Sequence, residues 1–358
     1  MPLDPRFLAE SGRAVFTGNE LLVKGCLETE GGVSLLTGYP GSPVAGFFDC
    51  LSDISDLLKG KGVRAFQANN EALSVAALNG SQMLPCRGIA AMKSVGVHVA
   101  SDALALGNLA GAHPEGGAVL IAGDDPWCES TQVPADSRFL LEHLRMPVLE
   151  PGDPQQVKDW IGLSFALSRV AGLYIGYVVI TAQADGGGTV ICRPNCFPDL
   201  NTHQRRQLET AQVDLNKVLL PPRTWQEELR IPERFARTIA EARRLGVNRI
   251  IPAARSYGGV APLGFIVTGM AGPYLAHVLA DLGLVGAFPV LQMGMSYPAD
   301  VSLVDEFAGL AKRLVVVEER RSFLEKNIRD GLFQHLPHER AADIAARLYG
   351  KSFPAEDG

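Results

Sequence analysis

Clustered thiols are missing from this sequence. Its 358 residues include six cysteines, Cys26, Cys50, Cys86, Cys128, Cys192 and Cys196, and only the last two stand close, in C-R-P-N-C. Scattered cysteines in a long chain do not form a disulfide framework. One pair without further thiols or histidines makes a poor metal site, and an iron–sulfur cluster needs about four cysteines in tight runs. Charge is sparse as well. Charged residues make up 20% of the chain and the net charge is −6, which gives no electrostatic case for nucleic acid or an anionic membrane as partner. The opening residues lack the basic-then-apolar layout of a secretory signal. The best membrane-spanning stretch, Ile161 to Ala182, is interrupted by Ser164, Ser168, Arg169 and Gly172. It parses better as a helix opened by Asp153-Pro154 and ended at Gly172, followed by a buried strand. These absences predict a soluble, cytoplasmic protein.

Common nucleotide and hydrolase signatures are absent too. There is no G-x-x-x-x-G-K-[ST] loop, no G-x-S-x-G elbow and no H-E-x-x-H pair. Gly264–Gly272 (GFIVTGMAG) enters a helix as a dinucleotide fingerprint would. It lacks the G-x-G-x-x-G spacing and an acidic residue about twenty positions on, so a tight strand-to-helix turn explains it.

What is present fits an ordinary globular chain. Hydrophobic residues are 47%, and at roughly 100–200 residues per domain the length predicts about two domains. Glycine is in excess, 38 of 358 residues, against an ordinary share of about 7%. Close backbone approach to a ligand is one reason for such an excess. From residue 14 to about 183, strand-like and helix-like runs alternate: a strand at 33–37, a helix at 44–58, a strand at 63–67, a helix at 70–84, a strand at 88–92, a helix at 98–111 and a strand at 118–122. That alternation predicts an α/β fold, a doubly wound, mostly parallel sheet with helices on both faces. Residues 185–260 are polar and rich in proline, and read as a linker with helices. A second alternating block predicts a smaller α/β domain over 261–358.

In doubly wound sheets the ligand lies off the carboxyl ends of the strands, so the loops there carry the most information. The first is Gly38-Tyr39-Pro40-Gly41-Ser42-Pro43. Its glycines and prolines fix a tight path, and Ser42 presents a hydroxyl beside backbone N–H groups, which suits a carboxylate or carbonyl oxygen. A purely structural turn is the alternative. In the second, Asn69-Asn70-Glu71, Asn70 reads as an N-cap and Glu71 falls in the first helical turn. Glu71 either complements the helix dipole or aims a carboxylate into the cleft. The third, Ala122 to Arg138, is long and polar, with Asp124, Asp125, Ser130, Gln132 and Asp136. Between these loops lies Lys93-Ser94-Val95-Gly96-Val97-His98, whose histidine either titrates near neutrality or caps a helix.

In order and spacing, a series of stretches resembles the alpha subunit of indolepyruvate ferredoxin oxidoreductase, a branch of the thiamine-diphosphate-dependent 2-oxoacid:ferredoxin oxidoreductases. The stretches are GYPGSP (38–43), NNEAL (69–73), AAMKSVGVHVASDAL (90–104), AGDDPWCESTQVPADSR (122–138), MPVLEPGDPQQVKDW (146–160), GFIVTGMAGPYL (264–275), LQMGMSYP (291–298) and VVVEERRSFLE (315–325). The resemblance implies a pyrimidine-binding domain over 1–184 and, over 261–358, a domain like the C-terminal one of transketolase. It makes Glu71 the catalytic carboxylate that hydrogen-bonds the pyrimidine ring nitrogen. Burial would raise the pKa of such a group and suit it to sharing that proton. It places Tyr39, Pro40, Gly41, Asn70, Lys93, Val95 and Gly96 around the cofactor, and Ser42, His98, Asp125, Ser130 and Gln132 towards the substrate. Two departures fall in the same wall: Ser94 stands where the family has His, and Val133-Pro134-Ala135 replaces a polar triplet.

The Gly-Asp-Gly motif of the family's diphosphate-and-magnesium domain is absent, as is its cysteine-rich segment. The resemblance therefore implies that Mg2+ and 4Fe-4S clusters belong to a partner subunit, in a hetero-oligomer with a gamma-type subunit and ferredoxin. The chain would then be a split subunit or a truncated frame, inactive without a partner. The substrate would be a small 2-oxoacid of the arylpyruvate type, with coenzyme A as a possible acyl acceptor. A non-redox 2-oxoacid decarboxylase subunit and a non-catalytic scaffold of the same fold remain as alternatives.

Overall fold

A computed structural model describes residues 3–203 and 219–351. The chain divides into two compact units, Met1–Pro147 with Pro154–Thr238, and Val148–Asp153 with Ile239–Gly358. In chain order the first strands are β1 (Arg13–Thr17), β2 (Leu35–Gly38), β3 (Arg64–Gln67), β4 (Arg87–Lys93), β5 (Gly117–Asp124), β6 (Val148–Leu149), β7 (Ile175–Ile180) and β8 (Gly187–Ile191).

In the first unit, β7, β5, β4, β2 and β3 lie side by side in that order, all parallel. Every residue of β5, GAVLIAGD, is buried, as a strand covered on both faces requires. The helices Gly18–Glu28 and Pro154–Ala171 pack on each other, and Glu71–Ser81 packs on Ser101–Ala110; together they cover the sheet. The expected α/β class with a parallel-dominated sheet is borne out.

Local chemistry sets the element ends. Thr17 and Glu20 form a reciprocal capping box that starts the helix Gly18–Glu28. Two expected helices are each divided: 44–58 into Ala45–Asp53 and Ser55–Gly60, and 98–111 into Ser94–Val99 and Ser101–Ala110. The second of these divisions brings Ser94, Val95 and Gly96 into a helix that the sequence pattern leaves as loop.

Residues 185–260, expected to hold helices, also hold strands. β8 pairs antiparallel with β1, and two glycines make that pairing fit. A Cβ on Gly187 would lie 2.2 Å from the Phe16 carbonyl oxygen, and one on Gly188 would lie 2.7 Å from Pro154. Their missing side chains are also why the strand reads as polar loop. Ile231 and Phe235, of the helix Ile231–Arg244, pack on Ala171 and Leu173. Residues 204–218, inside the expected linker, and 352–358, at the end of the expected second domain, lie outside the described residues.

The second unit holds β9 (Asn248–Ile251), β10 (Ala261–Val267), β11 (Val290–Met293), β12 (Met295–Tyr297), β13 (Ala311–Val317) and β14 (Leu348–Tyr349). Its sheet order is β14-β13-β10-β11-β9, parallel except for β9. β12 pairs antiparallel with β6. The core gathers Ile266, Leu291, Val304, Phe307, Leu314 and Ile328. Glu318, just past β13, accepts the N–H groups of Phe323, Leu324 and Glu325 at 3.0, 2.7 and 3.0 Å. Its carboxylate therefore caps the helix Leu324–His335.

A buried ion network locks the first helix of the first unit. Lys24 and Lys158 are fully buried. Lys24 donates to the carbonyls of Phe7 (3.2 Å) and Ala9 (2.7 Å) and to Asn195 Oδ1 (2.7 Å). Burial pushes its pKa down. Glu28 faces both lysines, 3.3 Å from Lys24 and hydrogen-bonded to Lys158. Removing one partner of a buried pair leaves an uncompensated charge, at a cost of about 3–5 kcal/mol. Glu28→Gln is therefore expected to lower unfolding stability in urea by that order. Arg193→Ala, at a side chain 64% exposed, should cost about 1 kcal/mol or less. Equal losses would contradict the role given to Glu28.

Candidate functional site

The parallel strands of the first unit all end at one edge of their sheet, so the loops that follow them share a rim. The chain leaves β2 for β3 on one side and resumes at β4 on the other. The gap between the carboxyl ends of β2 and β4 is thus the topological switch point, where open parallel sheets bind ligands.

The β2 loop needs its first glycine. Gly38 has φ +150, and a Cβ there would lie 1.9 Å from the Ala91 carbonyl oxygen. Only glycine lets the Tyr39 N–H reach that oxygen, at 3.1 Å. Beyond it Tyr39 and Ser42 are exposed, while Pro40 and Gly41 are half-buried. Asn19 pins the loop, its Nδ2 donating to the carbonyls of Pro43 and Ala184 at 3.1 Å each. Sequence reasoning missed Asn19, because a lone asparagine in an apolar helix carries no local signal.

The β3 loop delivers the carboxylate. Asn70 is the N-cap of the helix Glu71–Ser81, its Oδ1 accepting the Leu73 N–H at 2.8 Å. That fixes Glu71 as the first helical residue. Glu71 is 8% exposed, yet among the described residues its carboxylate has no hydrogen-bond partner. Its side chain rests on Gly96, where a Cβ would lie 2.5 Å from Glu71 Oε1 and 2.6 Å from its Cγ.

The β4 end closes the group. The stem of Lys93 crosses Gly41, where a Cβ would lie 2.8 Å from Lys93 Cδ. Its ammonium makes no ion pair or hydrogen bond among the described residues. In the helix Ser94–Val99, Ser94, Gly96 and Val97 are buried, and Val95 and His98 are exposed. The structure therefore brings Gly41, Lys93, Gly96 and Glu71 together at the switch point, with Val95 and His98 on the outward side of the same short helix.

The β5 loop is built around two aspartates. Asp125 is fully buried. Its Oδ1 accepts the Glu129 N–H (2.9 Å), and its Oδ2 accepts the Ser130 N–H (2.8 Å), the Thr131 N–H (2.6 Å) and the Thr131 hydroxyl (2.9 Å). Burial works to raise its pKa, but these donors outweigh it and hold the carboxyl below its ordinary range. Asp125, expected on the substrate side, thus organises its own loop. Ser130 is exposed, its Oγ 3.3 Å from Thr181 Oγ1, and Gln132 is exposed. Asp124 closes the loop from the other end, accepting the Ser137 N–H (2.7 Å) and hydroxyl (2.5 Å). Burial pushes its carboxyl up to about 7, against those two donors.

Among the described residues, no group of three or more His, Cys, Asp or Glu side chains is placed to hold a metal ion. No helix among them is long and apolar enough to cross a membrane.

With that geometry in view, known proteins were compared. No family model matches the chain. It is 29% identical over 334 residues to indolepyruvate oxidoreductase subunit IorA of Archaeoglobus fulgidus, spanning 90% of this chain and 49% of that protein. The same subunit of Methanothermobacter thermautotrophicus is 30% identical over 342 residues, 92% of this chain and 50% of that protein. The resemblance to indolepyruvate oxidoreductase alpha subunits is borne out. The chain spans about half the length of the curated relatives it matches. Among solved structures, 2-oxoglutarate:ferredoxin oxidoreductase from Magnetococcus marinus aligns over 94% of this chain and 62% of its own, at TM-score 0.63 and 14% identity. A split gene transketolase aligns over 92% of this chain and 95% of its own, at TM-score 0.52 and 12% identity. At such identities the two structures speak for the fold alone.

Asp124 gives the site a pH signature. Its ordinary pKa is 3.8 and its folded value about 7. Between those values the folded protein keeps a proton that the unfolded chain releases, so stability falls as pH rises through that window. Asp124→Asn keeps a neutral acceptor for Ser137 and is expected to flatten this fall, read as the thermal midpoint between pH about 4 and about 7. An unchanged slope would assign the fall to another group.

Proposed function

We propose that the chain is the pyrimidine-binding part of a thiamine-diphosphate-dependent 2-oxoacid:acceptor oxidoreductase of the indolepyruvate type. The observation that carries this reading is the Glu71 carboxylate, buried, unpartnered among the described residues and held at the switch point. A carboxylate that no protein donor reaches is open to a ligand's donor, and the protonated ring nitrogen of an aminopyrimidine supplies one. The glycine-walled approach agrees, since Gly38, Gly41 and Gly96 all stand where a Cβ would meet a neighbour.

When bound, thiamine diphosphate supplies a nucleophilic carbon at which a 2-oxoacid loses CO2 and then two electrons. The protein's own part is positional and protonic. Asn70 fixes the first helical turn, and Glu71 shares a proton with the ring nitrogen, which sets the tautomer of the far amine. Tyr39, Pro40, Gly41, Val95 and Gly96 form walls around the ring. Lys93 brings a cation to the switch point for the substrate's carboxylate, with Ser42 and His98 at the rim and Ser130 and Gln132 on the exposed β5 loop.

Because the chain spans about half of its relatives, further polypeptide completes the site. We assign to it the diphosphate and Mg2+ site and the 4Fe-4S clusters, in a cytoplasmic hetero-oligomer with a gamma-type subunit. The products are then CO2, two electrons for ferredoxin or a related acceptor, and an acyl group for coenzyme A.

The test is co-expression with a polypeptide carrying the diphosphate half, followed by assay of indolepyruvate- or phenylpyruvate-dependent acceptor reduction. Glu71→Gln is expected to lower kcat by about 10²–10⁴-fold with the complex intact by gel filtration. Undiminished turnover in that variant would remove Glu71 from the mechanism. Aldehyde release by an iron-free assembly would replace oxidation with simple decarboxylation.

A further inference from the structure

We infer that Gly96 is a positioning residue, setting where the Glu71 carboxylate stands in the crevice. The inference rests on the reading of Glu71 given above for its consequence, though not for its geometry.

A buried carboxylate is ordinarily oriented by side chains or N–H groups that bond it. Glu71 has none among the described residues. What defines its position instead is a steric floor. An ideal Cβ on Gly96 would lie 2.5 Å from Glu71 Oε1, 2.6 Å from Cγ and 2.9 Å from Cδ. The last three atoms of the side chain in line towards the carboxylate thus occupy the volume that any other residue at 96 would fill.

The floor is itself fixed. Gly96 lies in the helix Ser94–Val99, which begins where β4 ends, and β4 is paired on both sides, with β2 and β5. Ala100 N–H bonds back to the Gly96 carbonyl at 3.0 Å. On the other wall Asn70 sets the start of the Glu71 helix. Glu71 therefore comes from one rigid element and rests on another. Both of its oxygens remain free to meet a ligand, because contact with a Cα leaves their lone pairs unused. A hydrogen-bonding neighbour would have fixed the carboxylate equally well, but would have competed with the ligand for the same lone pairs. A glycine also costs helix stability, about 0.5–1 kcal/mol relative to alanine, so its place inside this helix asks for a compensating reason.

That cost gives a test in which the expected sign reverses. Four forms of the full chain are compared: wild type, Gly96→Ala, Glu71→Ala and the double variant. In the wild-type background the added methyl meets Glu71, and Gly96→Ala is expected to lower the thermal midpoint. With Glu71→Ala the obstruction is gone and the helix gains a better former, so Gly96→Ala is expected to raise the midpoint, by roughly 1–2 °C. The same sign in both backgrounds overturns the contact. The second measurement uses the complex with the diphosphate half at saturating thiamine diphosphate. Gly96→Ala is expected to lower kcat at least tenfold while KM for the 2-oxoacid changes less than twofold. An unchanged kcat alongside a reversed midpoint would leave Gly96 a packing residue and overturn its positioning role. If Glu71→Gln keeps full activity while the midpoints still reverse, the catalytic role of Glu71 fails and the contact stands. If Glu71→Gln is inactive and the midpoints do not reverse, only the inference about Gly96 fails.

Discussion

Everything at the site depends on how closely β2 and β4 approach at their carboxyl ends. The two strands are hydrogen-bonded neighbours up to Gly38 and Ala91, and the next N–H, of Tyr39, still reaches across to the Ala91 carbonyl. Past that bond the chains part, one into the Gly41–Ser42 loop and the other into the helix Ser94–Val99. The contact of Lys93 on Gly41 and that of Glu71 on Gly96 bridge the opening just beyond the last shared hydrogen bond. A side chain on Gly38 would push the strands apart where this opening begins. The backbone geometry of one residue thus governs where the β2 and β4 loops part.

The fold class was legible because parallel strands buried on both faces are apolar throughout, as β5 is, and because helices of ordinary period separate them. The helix start at Asn70 and Glu71 was legible for a local reason, since an asparagine followed by a glutamate after a strand is a cap pattern, whereas the role expected of Glu71 came only from the family resemblance. What the sequence hid was set by contacts distant along the chain. Asn19 acts on Pro43 and Ala184, and Gly96 is defined by Glu71. Strand β8 exists only because β1 is there to accept two glycines. The part Asp125 plays inside its own loop was hidden likewise, because its N–H donors are set by the turn that wraps it.

The β5 loop shows a division of labour between adjacent carboxyls. Asp125 gathers N–H groups and stays ionised, while Asp124, one residue earlier and equally buried, keeps its proton to a higher pH. At Asp124 burial outweighs the N–H and hydroxyl of Ser137, whereas at Asp125 three N–H groups and a hydroxyl from the turn that wraps it outweigh burial. The loop therefore reaches the rim already folded on itself, so a ligand arriving there need not order it.

The short segment Val148–Asp153 belongs to the second unit, although first-unit sequence lies on both sides of it. A chain emerging from the ribosome therefore makes a piece of the later unit before the earlier one is complete. Those six residues must wait for partners from beyond Ile239, and the sheet of the first unit must wait for β7. No single cut between residues 148 and 238 can release both units whole.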